Sequence, residues 1–293
     1  MKASSVFANR WVIGARPRTL AASIVPVVLG TAIAAPDVEV SWWKAVAAVV
    51  VALSLQIATN FANDYSDGIR GTDKARVGPM RLVASGLATP EEVKRAAIAA
   101  FAVAGVVGIV LSVAVNPLLI LVIGVPSLLA GWFYTGGPRP YGYSGFGELF
   151  VFVFFGLAAT LGSQYVQSQE VTSLGLAAAL CSGSFAVALL VVNNLRDIET
   201  DAEAGKRTLA VRTGGQSTRN FLIGLLLYPA VFVLILASSQ LWFALSLLYL
   251  VAALPALIAI GKGAAGRKLL PVLSATGRAH MIFGITFAVA VQF

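Results

Sequence analysis

The sequence predicts an all-α, polytopic membrane protein of nine transmembrane helices. Three observations carry that prediction. Hydrophobic residues make up 58% of the 293-residue chain and charged residues only 12%, a balance that fits soluble globular, disordered and fibrous proteins badly. Apolar stretches long enough to cross about 30 Å of hydrocarbon, roughly 20 residues each, recur along its whole length. Of 21 lysines and arginines, all but Lys44 fall on one side once those stretches are threaded alternately with the N-terminus inside.

The nine segments run approximately over 19–35, 42–62, 93–115, 117–134, 147–166, 172–195, 219–238, 240–260 and 274–292. The links at 116–117 and 238–240 are so short that their neighbours must form antiparallel hairpins. The N-terminus carries Lys2, Arg10, Arg16 and Arg18 before the first segment, which ends TAIAAPD and loosely imitates a secretory signal. With eight further spans behind it, this segment is expected to stay as an anchor. The N-terminus is then cytoplasmic and the C-terminus outside. The third segment opens TPEEV, in which Thr89 is an N-cap, Pro90 suits the first helical position and Glu92 completes a capping box, so Glu91 and Glu92 read as structural.

The two longest polar connections, 63–92 and 196–218, both lie on the cytoplasmic side. Each opens with an Asn/Asp-rich string and passes into bases: NFANDYSDGIRGTDKAR in the first and NNLRDIETDAEAGKRT in the second. We read one domain over 1–293, built of pseudo-repeat halves about 15–134 and 147–260 with a ninth helix added.

Residues three and four apart share a helix face. Asn60, Asp64 and Asp67 follow that spacing, as do Asn193, Asp197 and Asp201, so each string presents a stripe of oxygen atoms. Like charges so placed repel, and carboxylates at membrane depth are costly; a cation should compensate them. With one cysteine, Cys181, and one histidine, His280, a Cys/His zinc site cannot be built. Oxygen donors suit Mg²⁺ or Ca²⁺. Magnesium takes one or two protein carboxylates and completes its shell with water and phosphate. Lys74, Arg76 and Arg81 after the first string, and Lys206 and Arg207 after the second, complete a clamp for a Mg²⁺-diphosphate. Asp73, Glu199 and Glu203 serve equally well as caps or turn residues.

The glycine-rich segment TGGPRPYGYSGFGE at 135–148 has no GxxxxGK[ST] and no strand before it, so it is not a nucleotide-binding loop. Tyr134, Arg139, Tyr141 and Tyr143 could roof a pocket between the halves. The net charge of +8 lies between spans and not on one continuous face, which sets nucleic acid aside as a partner. Membrane lipid is the surrounding partner.

On ARPRTL at 15–20, NDYSDGIRGTD at 63–73, YTGGPRPYGYSGFGE at 134–148 and NNLRDIETDAEAGKRTLAVR at 193–212, the chain resembles the UbiA superfamily of membrane prenyltransferases. Within it, these segments look like the 1,4-dihydroxy-2-naphthoate prenyltransferases. The resemblance spans nearly the whole chain. It implies nine helices around a central cavity and transfer of a polyprenyl group from polyprenyl diphosphate to 1,4-dihydroxy-2-naphthoate. The ring carboxylate is lost, demethylmenaquinone forms, and Mg²⁺ bridges the acidic motifs and the diphosphate. The second string fits NxxxDxxxD as Asn193, Asp197 and Asp201. The first departs: Asn60 and Asp64 fit, but Gly68 stands third, leaving Asp67 and Asp73 as rivals for that role.

On that reading Asp64, Asp67, Asp197 and Asp201 are catalytic, with Asn60, Asn193 and Asp73 as further metal ligands. Arg81, Lys206, Arg207 and Lys74 bind diphosphate. Arg139 or Arg16, with Tyr134 and Tyr141, bind the acceptor. Other members of the superfamily use 4-hydroxybenzoate, homogentisate, haem, chlorophyll or lipid-phosphate substrates, and only the RPRTL and YTGGPRPYGY segments favour the naphthoate. A cation-coupled transporter is the rival of another class. Transporters bind near the midplane, whereas both acidic strings here sit at one face beside bases.

Overall fold

The computed structural model describes residues 10–72 and 80–293. Among these there is no strand. Residues 10–15 are helical, and the chain then turns sharply at Arg16, whose φ of 55° is left-handed, into a short 3₁₀ turn at Pro17–Thr19. The helices that follow are α1 Ala21–Ala34, α2 Trp42–Arg70, α3 Pro90–Val115, α4 Ile120–Phe133 and α5 Gly147–Ser168, and α6 Ser173–Arg196. Two short ones, α7 Ile198–Glu203 and α8 Leu209–Thr213, precede α9 Gly215–Ser239, α10 Leu241–Gly261 and α11 Leu269–Ala290.

Each expected segment coincides with one apolar helix, but only seven of these are long enough by themselves to cross a membrane. The exceptions, α1 and α4, have 14 residues, or about 21 Å at 1.5 Å per residue. Prolines set both limits. The Arg16–Pro17 break delays the start of α1, and Pro117 follows directly on the C-cap of α3, so that α4 opens with a wide π turn at Ile120–Gly124.

Other helices run past their apolar stretches. α2 continues eight residues beyond 62 to Arg70 and ends where Gly71 adopts a left-handed φ of 70°, which glycine permits without a Cβ clash. The first acidic string therefore lies on α2 itself. At the start of α3 the capping box is complete: Thr89 Oγ1 accepts from Glu92 N–H, and Glu92 Oε2 accepts from Thr89 N–H. Glu92 also meets Arg10 at 3.1 Å, tying the N-terminal segment to α3.

The most buried span is α6, with 78% of its apolar window inside the protein. Small residues let it sit there: a Cβ on Gly156 of α5 would come within 2.6 Å of the Gly183 backbone of α6, the close helix approach expected between membrane helices. The largest core gathers α6, α9, α10 and α11 with part of α1 around Phe185, Tyr249, Phe283 and Phe287. A second core joins Phe61 of α2 to Leu82, Val93 and Ala97. Outward faces of α3 and α9 expose Val106, Val110, Val113, Val231, Leu234 and Ile235, an apolar surface suited to lipid and not to water.

Candidate active site

Between the cores lies a cavity of about 800 Å³, within the size range of ligand sites. Its charge is sorted to one end. There the last turns of α2 supply Asn60, Asn63 and Asp67, α6 and α7 supply Asn193, Asp197 and Asp201, and four cations, Arg16, Arg81, Arg196 and Lys206, stand among them. Away from that end the lining turns apolar, with Leu55, Leu111, Ile120, Ile123, Phe154 and Val166. Part of this wall is π-helical, at Ile120–Gly124 and at Phe152–Ala158 within α5.

Asn60, Asn63, Asp64 and Asp67 of α2 are all buried but divide between two faces. Asn63 and Asp67, four residues apart, face the cavity. Asp64 does not line it. Its carboxylate accepts the backbone N–H groups of Leu82 (2.8 Å) and Val83 (3.2 Å). Gly68 permits that docking, since a Cβ there would lie 2.4 Å from Val83 Cγ1. Asp64 therefore seats the segment whose Arg81 enters the cavity. Asn60 is a bracket as well: its Nδ2 donates to Ala15 O at 3.0 Å, its carbonyl accepts from Arg16 Nη2 at 3.2 Å, and Gln56 donates to its Oδ1. Arg16 is thereby fixed on the wall.

In the second string the helix does not run through. Asp197 leaves helical geometry, at φ −99° and ψ 11°, and joins α6 to α7. Arg196 clasps it with two N–H···O bonds of 2.8 Å. Lys206 Nζ lies 3.2 Å from Asp67 Oδ2 and 3.7 Å from Asp201 Oδ1, so one ammonium spans both strings. Arg81 stands 3.8 Å from the same Asp67 oxygen.

Three tyrosines close the polar end. Tyr143 donates its hydroxyl to Asp67 Oδ1, its ring lies under Lys206 Nζ at 4.7 Å, and its carbonyl accepts the N–H of Arg207 at 2.8 Å. Burial, with the Asp67 charge beside it, pushes the Tyr143 phenol well above its ordinary value, so it remains a donor. Tyr141 stacks on Phe150 at 4.0 Å and donates to Ala130 O at 2.7 Å. Tyr134 meets Tyr141 edge-on at 5.5 Å.

Residues 23–268 match the UbiA prenyltransferase family. The chain belongs to that family. A 1,4-dihydroxy-2-naphthoate octaprenyltransferase of Mycobacterium tuberculosis is 49% identical over 284 residues, 97% of each chain. One of Escherichia coli is 38% identical, covering 79% of this chain and 78% of its own. Among solved structures, a UbiA homolog from Archaeoglobus fulgidus bound to GPP and Mg²⁺ superposes with a TM-score of 0.69 at 17% identity, covering 97% of this chain and 99% of that one. An apo UbiA homolog from Aeropyrum pernix gives 0.71 at 14% identity, covering 92% and 97%.

Within this UbiA fold, the structure gathers Asn60, Asp67, Asn193, Asp197, Asp201, Arg81, Lys206, Arg16, Tyr134 and Tyr141 around one cavity, and leaves three expected residues off its wall. Asp64 is turned away to the 82–83 backbone. Arg139 and Arg207 have exposed side chains and line none of the cavity: Arg139 sits on the outer side of its turn, and Arg207 uses its backbone to hold Tyr143. Asp73 and Lys74 lie outside the described residues. Two residues that spacing overlooked are Asn63 and Arg196. The first was legible in principle, because Asn63–Asp67 repeats the spacing of Asn193–Asp197. The second adjoins Asp197 in NNLRD but carried no periodic signal.

Oxygen donors suited to Mg²⁺ come from Asn63, Asp67, Asn193, Asp197 and Asp201, without thiolate or imidazole. Among the described residues no three acidic, His or Cys side chains converge into a closed cage.

Proposed function

We propose that this UbiA-family protein transfers a polyprenyl group from polyprenyl diphosphate to 1,4-dihydroxy-2-naphthoate, releasing diphosphate and CO₂ and giving demethylmenaquinol, the hydroquinone that a separate oxidation turns into demethylmenaquinone, with Mg²⁺ as the metal. The observation that carries the reading is the cavity that sorts carboxylates and cations to one end and aliphatic and aromatic walls to the other, in a chain 49% identical to a naphthoate octaprenyltransferase.

Asp67, Asp197 and Asp201, with Asn63 and Asn193, would hold the metal, one or two of the carboxylates as direct ligands. When bound, Mg²⁺ supplies the Lewis acid that stabilises the leaving diphosphate. Arg81, Arg196 and Lys206 take up the diphosphate charge; Arg196 presents a planar fork that fits phosphate oxygens as it fits a carboxylate. Arg16, held by Asn60, pairs with the naphthoate carboxylate. The apolar gallery takes the prenyl chain and keeps water from the allylic carbon as its C–O bond breaks. Tyr134 and Tyr141, which line the cavity, flank that developing cation. The charge asymmetry of the loops supports a cytoplasmic N-terminus and, with it, a cytoplasmic position for this polar end.

The test is an assay of the purified protein with labelled polyprenyl diphosphate and a panel of acceptors, with Mg²⁺ or with EDTA. Prenylated product and CO₂ are expected from the naphthoate with Mg²⁺. Product from 4-hydroxybenzoate or homogentisate alone would reassign the acceptor, and full turnover in EDTA would remove the metal.

A further inference from the structure

Every acidic side chain of the cavity already has a partner that is a cation or a strong donor. Asp67 has Lys206 at 3.2 Å, Arg81 at 3.8 Å and the Tyr143 hydroxyl. Asp201 shares the same Lys206 at 3.7 Å. Asp197 is clasped at both oxygens by Arg196. Lys206, Arg196 and Asp67 have side-chain exposures of only 10%, 1% and 4%, and Asp201 one of 14%, so water screens these pairs little. Among the described residues, four cations and three carboxylates line the cavity.

That balance has a consequence for the order in which charge can enter. A divalent cation arriving alone meets carboxylates that already have cationic partners and must compete with them. Diphosphate offers the resident cations a new set of oxygens. Lys206 has a flexible four-carbon stem and three donors, so its ammonium can leave Asp67 and Asp201 for a phosphate oxygen. Arg196 can make the same exchange from Asp197.

Resting on the Mg²⁺-diphosphate reading above, we propose that Lys206 and Arg196 are resident counter-ions that hold the two acidic strings closed to metal until diphosphate takes the cations over. Metal and diphosphate then bind as positively coupled ligands, each tightening the other by the same factor.

Mn²⁺, a paramagnetic stand-in for Mg²⁺, is titrated into the full-length protein in detergent with and without inorganic pyrophosphate, and free Mn²⁺ is counted by electron paramagnetic resonance. The complex formed by Mn²⁺ and pyrophosphate in solution is subtracted. For the wild type, pyrophosphate tightens Mn²⁺ by roughly 10- to 100-fold, the usual span of coupled sites. In Lys206→Met, Mn²⁺ alone binds roughly tenfold tighter than in the wild type and the pyrophosphate enhancement shrinks correspondingly. Arg196→Met moves in the same direction and serves as the readout if Lys206→Met does not insert. Mn²⁺ affinity unchanged or weakened in both variants, or indifferent to pyrophosphate in the wild type, overturns the counter-ion role alone. Full turnover in EDTA overturns the metal reading and this inference together.

Discussion

Lys206 and Asp67 stand 139 residues apart in the chain and meet at 3.2 Å in the cavity. Their pairing, extended to Asp201, brings the two acidic strings into a single site. It also separates residues that act in the cavity from residues that build it, and the first prediction uses that separation.

Asp67→Asn and Asp197→Asn should each lower kcat by at least about 100-fold, the scale seen when a group stabilising transition-state charge is removed, while the protein still inserts. Asp64→Asn should behave differently. Its amide oxygen can still accept one of the Leu82 and Val83 N–H groups, so activity should fall less than tenfold, with a stability loss of about 1–2 kcal/mol. Kinetics and thermal melts on the three variants would check the order. Equal loss at Asp64 and Asp67 would return Asp64 to the metal site.

Arg16→Ala should raise KM for the naphthoate by about tenfold or more, the equivalent of one charge-assisted hydrogen bond, and leave KM for the prenyl diphosphate nearly unchanged. Arg139→Ala should change neither. The two titrations, run with each substrate varied in turn, distinguish a cavity arginine from an exposed one.

Gly108 of α3 lines the apolar gallery, and a Cβ there would first meet Val51 Cγ2 at 3.9 Å. Gly108→Phe fills that space. Long prenyl diphosphates should lose about tenfold or more in kcat/KM relative to short ones such as dimethylallyl diphosphate, in line with the 1–3 kcal/mol at stake per misfitted group. Uniform loss across chain lengths would show that the gallery is not the prenyl path.

Tyr143 gives a prediction about pH. Its phenol is held above the ordinary value of about 10, so between the unfolded and folded values the unfolded chain releases a proton that the folded protein keeps. Stability from this group is intact below about pH 10 and declines as pH rises beyond it. Tyr143→Phe should therefore flatten part of the alkaline fall in Tm. Subtracting its Tm–pH curve from that of the wild type isolates the effect from the other tyrosines.

Hydropathy located every apolar helix because lipid-facing and core-facing positions are both apolar, as along α3 and α6. It could not show that α2 continues to Arg70, since the helix goes on where its residues turn polar and become the wall of a site. Spacing found the two acidic strings, yet it allowed Asn60–Asp64 and Asn63–Asp67 equally. Only the docking of the 82–83 backbone on Asp64 tells them apart, and that contact joins segments folded by tertiary packing. Arg139 was misplaced for a related reason: the direction of a loop side chain depends on turn geometry, here anchored by Arg70 donating to the carbonyls of Thr135 and Gly137, which periodicity does not encode.

The π turns at Ile120–Gly124 and Phe152–Ala158 fit one more residue into a turn than an α-helix does, and both lie in the wall of the gallery. Loss of one residue from either would narrow that turn to α geometry, keep the helix beyond it in register, and change which side chains stand at that point of the bore. Calibre in this fold can thus change by single insertions and deletions, leaving the charged end untouched, so chain-length preference and catalytic chemistry are free to evolve separately.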